Sequence, residues 1–121
     1  MEEDGKMAAD ILAESRKELM EKGYIDQDML SWIHYGTSVL NLQYIFLGVR
    51  GGELMVLPIV NFKEMLFNEV RYYKKEDITE FSLSAATGKI KIRFGKEGSL
   101  VYRSVASSIP DTKKIIAYFG F

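Results

Sequence analysis

The stretch YIFLGVRGGELMVLPI, Tyr44 to Ile59, decides how this chain is read. It is an apolar run interrupted by Gly48, Gly51 and Gly52. Glycines between apolar segments can cradle a phosphate, or they can turn one strand back on the next. A phosphate cradle needs a strand, a glycine loop, and then a helix whose N-terminal amides face the anion. After Gly52 the chain reads ELMVLPIV, with Val56, Ile59 and Val60 and with Pro58 six residues past the glycines. That is a poor helix start, and no Lys-Ser/Thr pair comes after it. Two strand-like runs joined by Gly-Gly form a hairpin instead. A type I′ turn needs positive φ at both central residues, which glycine adopts at low cost.

Working outward, the period of two persists from Tyr35 to the neighbourhood of Val105. TSVLNLQYIFLGVR and ELMVLPIV are rich in strand formers, and NEVRYYKKEDI sets Val70, Tyr72 and Ile78 against charged neighbours. In ITEFSLSA the alternation slips between Ile78 and Phe81, the mark of a bulge. KIKIRF is the cleanest alternation: Ile90, Ile92 and Phe94 share one face, and Lys89, Lys91 and Arg93 share the other. SLVYRSV closes the series of about six strands. Turn signals separate the runs at Gly51-Gly52, Pro58 to Asn61, Thr87-Gly88 and Gly95 to Gly98.

Both ends change period. In DGKMAADILAESRKELMEKG, the residues Met7, Ala8, Ile11, Leu12, Ser15 and Leu19 make one helical stripe. Asp4 is the expected N-cap, Gly23 suits the residue after the C-terminus, and Glu18 to Lys22 is the favoured order for an ion pair. This helix is acidic and lacks aromatics, so it is expected to dock on protein rather than on a membrane. In YIDQDMLSWIHYG, Asp26 either caps a short second helix or belongs to an irregular lead into the first strand. SSIPDTKKIIAYFGF reads as a closing helix, with Ser108 as cap and Pro110 in the first turn. Hairpins without intervening helices point to an antiparallel barrel or sandwich.

A length of 121 residues, 47% of them hydrophobic, is enough for one domain with its own core. The absence of cysteine excludes disulfides, thiolate metal sites and cysteine catalysis. With His34 the sole histidine, a His-rich metal cluster or two-histidine relay is excluded too. No uninterrupted apolar run is long enough to span a membrane, and the acidic start MEEDGKMAAD lacks the basic, then apolar, pattern of a secretory signal. A cytoplasmic protein is expected. Charge is polarised: residues 1–60 carry ten acids against five bases, −5, and residues 61–121 carry seven against eleven, +4. This asymmetry either reflects a Glu-bearing helix and Lys-bearing strands or gives the molecule a basic side for an anionic partner.

The order of these pieces resembles a pleckstrin-homology-like (PH-like) domain of the bacterial type. The likeness rests on YIFLGVRGGELMVLPI as an early hairpin, VRYYKKEDITEFSLS as a strand leading through Asp-Ile into the next, GKIKIRFGKEGSLVYRSV as a late hairpin, and DTKKIIAYF as the closing helix. It covers roughly residues 37–119. The resemblance implies an α+β, mainly β, fold: a strongly bent antiparallel barrel capped by the C-terminal helix, spanning residues 35–121, with residues 1–34 as an added N-terminal helical extension. It also implies no enzyme activity and no cofactor, and a role in binding phosphoinositides, proteins or peptides. The lipid-binding members place several basic residues around the first strand-turn-strand, whereas the hairpin here offers only Arg50.

The expected function is therefore a non-catalytic interaction module for a protein or peptide, or for a second copy of itself. Tyr72 and Tyr73, on opposite faces of one strand, are candidate partner contacts. The alternative is an anionic ligand on the basic strand face of Lys89, Lys91, Arg93, Lys96 and Arg103. No aromatic shares that face, so base stacking and specific nucleic-acid binding are not expected. Lysines on an exposed strand also serve simply to discourage edge pairing. His34 has no second group placed to complete a catalytic or metal set, and DQD lacks the glycine and distal glutamate of a calcium loop. Ser84, Ser104, Ser107 and Ser108 lie in no nucleophile elbow. An enzyme would need a cavity gathering two or more of Glu64, Glu69, Asp77 and Glu80.

Overall fold

The computed structural model describes residues 2–35, 43–60, 64–96 and 100–121, with 2–6 described as backbone only. Helix α1 runs Glu2–Glu21, so Asp4 lies inside the helix rather than capping it. Gly23 takes φ 78°, the left-handed residue that ends the helix, and Lys22 Nζ pairs with Glu18 at 3.1 Å. The chain then leads irregularly through residues 24–30, and no second helix forms there.

The strands are β1 (Ser31–Tyr35), β2 (Gln43–Arg50), β3 (Glu53–Val60), β4 (Glu64–Met65), β5 (Arg71–Tyr73), β6 (Ile78–Ser84), β7 (Lys89–Phe94) and β8 (Leu100–Ser104). Helix α2, Ile109–Tyr118, closes the described chain. All pairings are antiparallel, in the order β4-β3-β2-β1-β8-β7-β6, with β5 beside β3. The fold is α+β and mainly β. Among the described residues nothing pairs β4 or β5 with β6, so the sheet is open rather than closed into a barrel. The division expected between residues 34 and 35 falls within β1, which pairs with both β2 and β8 and belongs to the sheet.

The glycines between β2 and β3 form a hairpin turn. Arg50 pairs with Glu53, leaving Gly51 and Gly52 as a two-residue turn with φ of 58° and 77°. Positive φ at both positions is the type I′ geometry, whose twist matches that of the flanking strands. Asp26 accepts a hydrogen bond from Gly51 N at 2.7 Å and so braces this turn rather than capping a helix. The turn expected over Pro58 to Asn61 does not begin at Pro58, because β3 continues through it to Val60; Asn61 lies outside the described residues. Pro58 O accepts from Leu66 N at 3.0 Å. N and O of one residue point to the same side of an antiparallel strand, so the missing N–H faces away from β2 and costs that ladder nothing. The slip after Ile78 is a register shift between Ile78 and Glu80 in the β6–β7 pairing.

Two cores form, one on each face of the sheet. The inner face carries Ile33, Leu47, Val49, Leu54, Ile78, Phe81, Ile90, Ile92 and Tyr102, covered by Ile115 of α2 and by Phe119 just past its end. The outer face of β1–β3 carries Trp32, Phe46, Met55, Leu57 and Ile59, covered by Leu12 and Leu19 of α1. Each of those two leucines contributes about 2 kcal/mol on burial. The helix stripe read from the sequence holds for Leu12, Ser15 and Leu19, while Met7 lies 61% exposed. Gly48 faces this outer layer: a Cβ there would meet Ile25 Cγ2 at 2.5 Å, so only glycine lets Ile25 settle onto β2.

Candidate functional site

The basic strand face takes shape as the alternation requires. Lys89, Lys91 and Arg93 are exposed on the outer face of β7, while Ile90 and Ile92 are buried on the inner one. Lys89 stands directly opposite Arg103 on β8, Lys91 opposite Val101, and Arg93 opposite Glu80 on β6. Lys96 is exposed in the turn beyond β7. Like charges placed directly opposite across two strands destabilise the pair. Arg103 turns part of its guanidinium aside, with Nη1 donating to Thr87 O at 3.2 Å. Lys89 and Lys91 make no ion pair among the described residues.

His34 continues the row from Arg103 on β1, with its ring tilted against Tyr44 at 5.5 Å. Burial, and secondarily the Arg103 charge, hold its pKa below the ordinary 6.5. The neutral imidazole is therefore favoured, and the row gains no third cation from it at neutral pH.

Tyr72 and Tyr73 lie on opposite faces, as alternation requires, but both rings are engaged within the protein. Tyr72 donates its hydroxyl to Tyr24 O at 2.9 Å, and the Arg50 guanidinium lies 3.8 Å from its ring centre. Its pKa is raised by burial, against the opposing effect of Arg50. Tyr73 stacks on Phe94 at 4.1 Å. The expected partner contacts are thus half-buried and committed: one ties β5 to the lead into β1, the other draws β5 toward β7 across the gap in the sheet.

Ser31, Ser104 and Ser108 gather with Thr112 where α2 meets β1, whereas Ser84 ends β6 opposite Lys89. Trp32 N donates to Ser108 Oγ at 3.0 Å, and the hydroxyl lies 3.0 Å from the Trp32 and Val105 carbonyls. Ser108 precedes α2 without capping it. Its hydroxyl instead continues the β1 ladder beyond the two register pairs β1 makes with β8. Ser108 and Thr112 hydroxyls lie 2.9 and 3.2 Å from Ser104 Oγ, and Ser31 meets Thr112 at 2.5 Å. Beside them Asp111 Oδ2 accepts from Arg16 Nη1 and from Leu30 N, both at 2.9 Å, and Arg16 Nε reaches Asp28 at 3.1 Å. Arg16 thereby pins α1 to α2. Among the described residues no hydroxyl of this group is bonded to the histidine or to a carboxylate, and the bonds it makes fasten α2 to β1. Trp32 Nε1, in the core under α1, and Ser107 Oγ, in the turn α1 lies against, are buried without a hydrogen-bond partner among the described residues.

Two concavities bear on the reading. One, of about 840 Å³, opens beside the end of β1, the start of β2 and the end of β3, with Tyr35, Ile45, Val56, Pro58, Glu69 and Arg71 among its walls. An enzyme reading needs two or more of Glu64, Glu69, Asp77 and Glu80 together, and of these Glu69 alone lines it. The other is a groove of about 310 Å³ between β6 and α2, with Leu83, Ile116 and Phe121 as apolar walls and Ser82 and Lys113 as polar ones. Strand β6 ends the sheet, and among the described residues its second edge pairs with no strand. No sequence signal marked this groove, because nothing local says which strand will be left at an edge.

Among the described residues, no three His, Asp or Glu side chains come together as a metal set. No described helix is long and apolar enough to cross a membrane. No family model, curated protein or solved structure matches the chain.

Proposed function

We propose that this chain is a non-catalytic binding module of PH-like type that takes an extended segment of a partner protein along the free edge of β6. The observation that carries this reading is the juxtaposition of that edge with the apolar groove against α2. An added strand satisfies its backbone on the edge, and every second side chain enters the groove. Leu83, Ile116 and Phe121, the last of them 48% exposed, offer apolar contact, and Lys113 favours an acidic residue at the rim. The PH-like reading draws support from the element order, from the helix after the last hairpin, and from the Tyr73–Phe94 stack, which brings β5 and β7 into contact.

Selection from a random peptide library tests this. Enriched peptides of alternating apolar character are expected to shift the amide resonances of Ser82 to Ser84 and of Lys113 to Ala117. Leu83→Asp, checked for folding by its melting curve, is expected to weaken them at least about tenfold, which is about 1.4 kcal/mol. Enriched peptides that shift other surfaces and ignore Leu83→Asp would discard the reading, as would a failure to enrich any.

A further inference from the structure

We propose that the open basic half of the outer face is the docking surface for α1 of a second copy of this chain. The outward strip of α1 consists of Met7, Asp10, Glu14, Lys17 and Glu21, spaced three, four, three and four residues apart and all exposed. It lies opposite the buried Leu12, Ser15 and Leu19, so it stays outward while α1 remains docked on its own sheet. Three acids, one lysine and a largely exposed methionine give that strip an apolar and anionic character. The β7–β8 face has the complementary one: Lys89, Lys91 and Arg103, with Val101, opposite Lys91, exposed by 46%. Both surfaces thus set exposed apolar side chains among charges of opposite sign. An acid placed between Lys89 and Arg103 relieves a like-charge pair that the isolated protein leaves uncompensated.

The shape of the molecule favours a helix over a broad anionic surface. α1, whose exposed strip carries Asp10, Glu14 and Glu21, lies against the Ala106–Ser108 turn that follows β8. An extended anionic membrane laid on the basic face is broad enough to reach this neighbouring acidic helix, whereas a helix about 10 Å across seats on the basic face alone. Helix and socket are different patches, so the contact is heterologous: each copy offers one of each, and association propagates as a chain or closes as a ring. This contact lies on the outer face of the sheet, away from the peptide groove against α2, and Leu83→Asp leaves it unchanged.

Sedimentation and light scattering of the full chain test the proposal. At about 20 mM salt the weight-average mass is expected to climb above that of the monomer with concentration, and at about 0.5 M salt to return to it, as screened ion pairs require. Lys89→Glu with Lys91→Glu removes the socket, and Asp10→Lys with Glu14→Lys removes the plug. Each variant alone is expected to remain monomeric, and their equimolar mixture is expected to give 1:1 complexes, because each retains the patch the other lacks. The milder pair Lys89→Gln and Lys91→Gln is expected to weaken wild-type association about fivefold, the sum of two exposed ion pairs. A wild-type chain monomeric at low salt, association that survives both charge reversals, or a mixture of folded variants that stays monomeric overturns the proposal. Monomeric wild type that co-sediments with phosphatidylserine vesicles at low salt overturns it in favour of an anionic lipid surface.

Discussion

The outer face of one sheet has two halves that differ in every chemical respect. On β1–β3 it carries Trp32, Phe46, Met55 and Leu57 and lies beneath α1. On β7–β8 it carries Lys89, Lys91, Val101 and Arg103 and lies open. Both halves sit behind the same inner core, under the same antiparallel ladder. The difference teaches that a strand position is apolar or charged according to what covers it, not according to the strand. Where α1 is present, both faces of the sheet are buried and alternation disappears. Where it is absent, alternation is nearly perfect.

The sharpest test of this contrast is truncation at matched positions. Phe46, fully buried beneath α1, is expected to cost about 3–5 kcal/mol when changed to alanine. Lys91→Ala, on the open half, is expected to stay within about 0.5 kcal/mol. Urea denaturation of both measures the two values, and similar costs would erase the distinction between the halves. Next in size is the fastening that holds α1 over its half. Asp111→Ala leaves Leu30 N without its acceptor and Arg16 with Asp28 alone, at an expected cost of about 1–3 kcal/mol. Faster hydrogen exchange in α1 than in β7 should accompany it, and uniform acceleration across the chain would show that α1 is not separately fastened.

The smallest effect lies at the boundary between the halves. His34 has a folded pKa below 6.5, from burial first and then from Arg103. The unfolded chain therefore binds a proton more readily than the folded one, and stability rises with pH wherever that holds. The contribution of His34 is complete above the unfolded pKa and is lost as pH falls through 6.5 toward the folded value. Thermal midpoints measured between about pH 7.5 and pH 5.5 are expected to decline in the wild type and to decline less in His34→Asn. Equal slopes would remove His34 from the account.

The same contrast governs how much of the molecule was legible in its sequence. KIKIRF and the Gly51-Gly52 hairpin were readable because their determinants are local: one exposed face, or two adjacent positive φ angles. SWIHY was not readable as a strand, because Ser31, Trp32 and Ile33 are all buried and leave no period of two. Pro58 resembled a stop because its chain neighbours do not reveal which side of the strand its nitrogen faces. The basic face was visible in the alternation of Lys89, Lys91 and Arg93, but its nearness to an acidic helix was not. Tyr72 and Tyr73 were correctly set on opposite faces, yet what each touches depended on remote chain, Tyr24 being 48 residues away. The β6–α2 groove depends on which edge stays unpaired, a property of the whole sheet.

Strand β1 pairs on one side with β2, close by in sequence, and on the other with β8, where Ile33 meets Ser104 and His34 meets Arg103. The β2–β3 and β6–β7–β8 hairpins need only short-range encounters. Joining them requires a long stretch of backbone to be closed into a loop, and that entropy must be spent before the distant pairing gives anything back. The hydroxyl of Ser108, bridging to both backbone groups of Trp32, is the clasp on that late seam. Folding order in this molecule is therefore written at β1, the shortest route between its two halves in space and the longest along the chain.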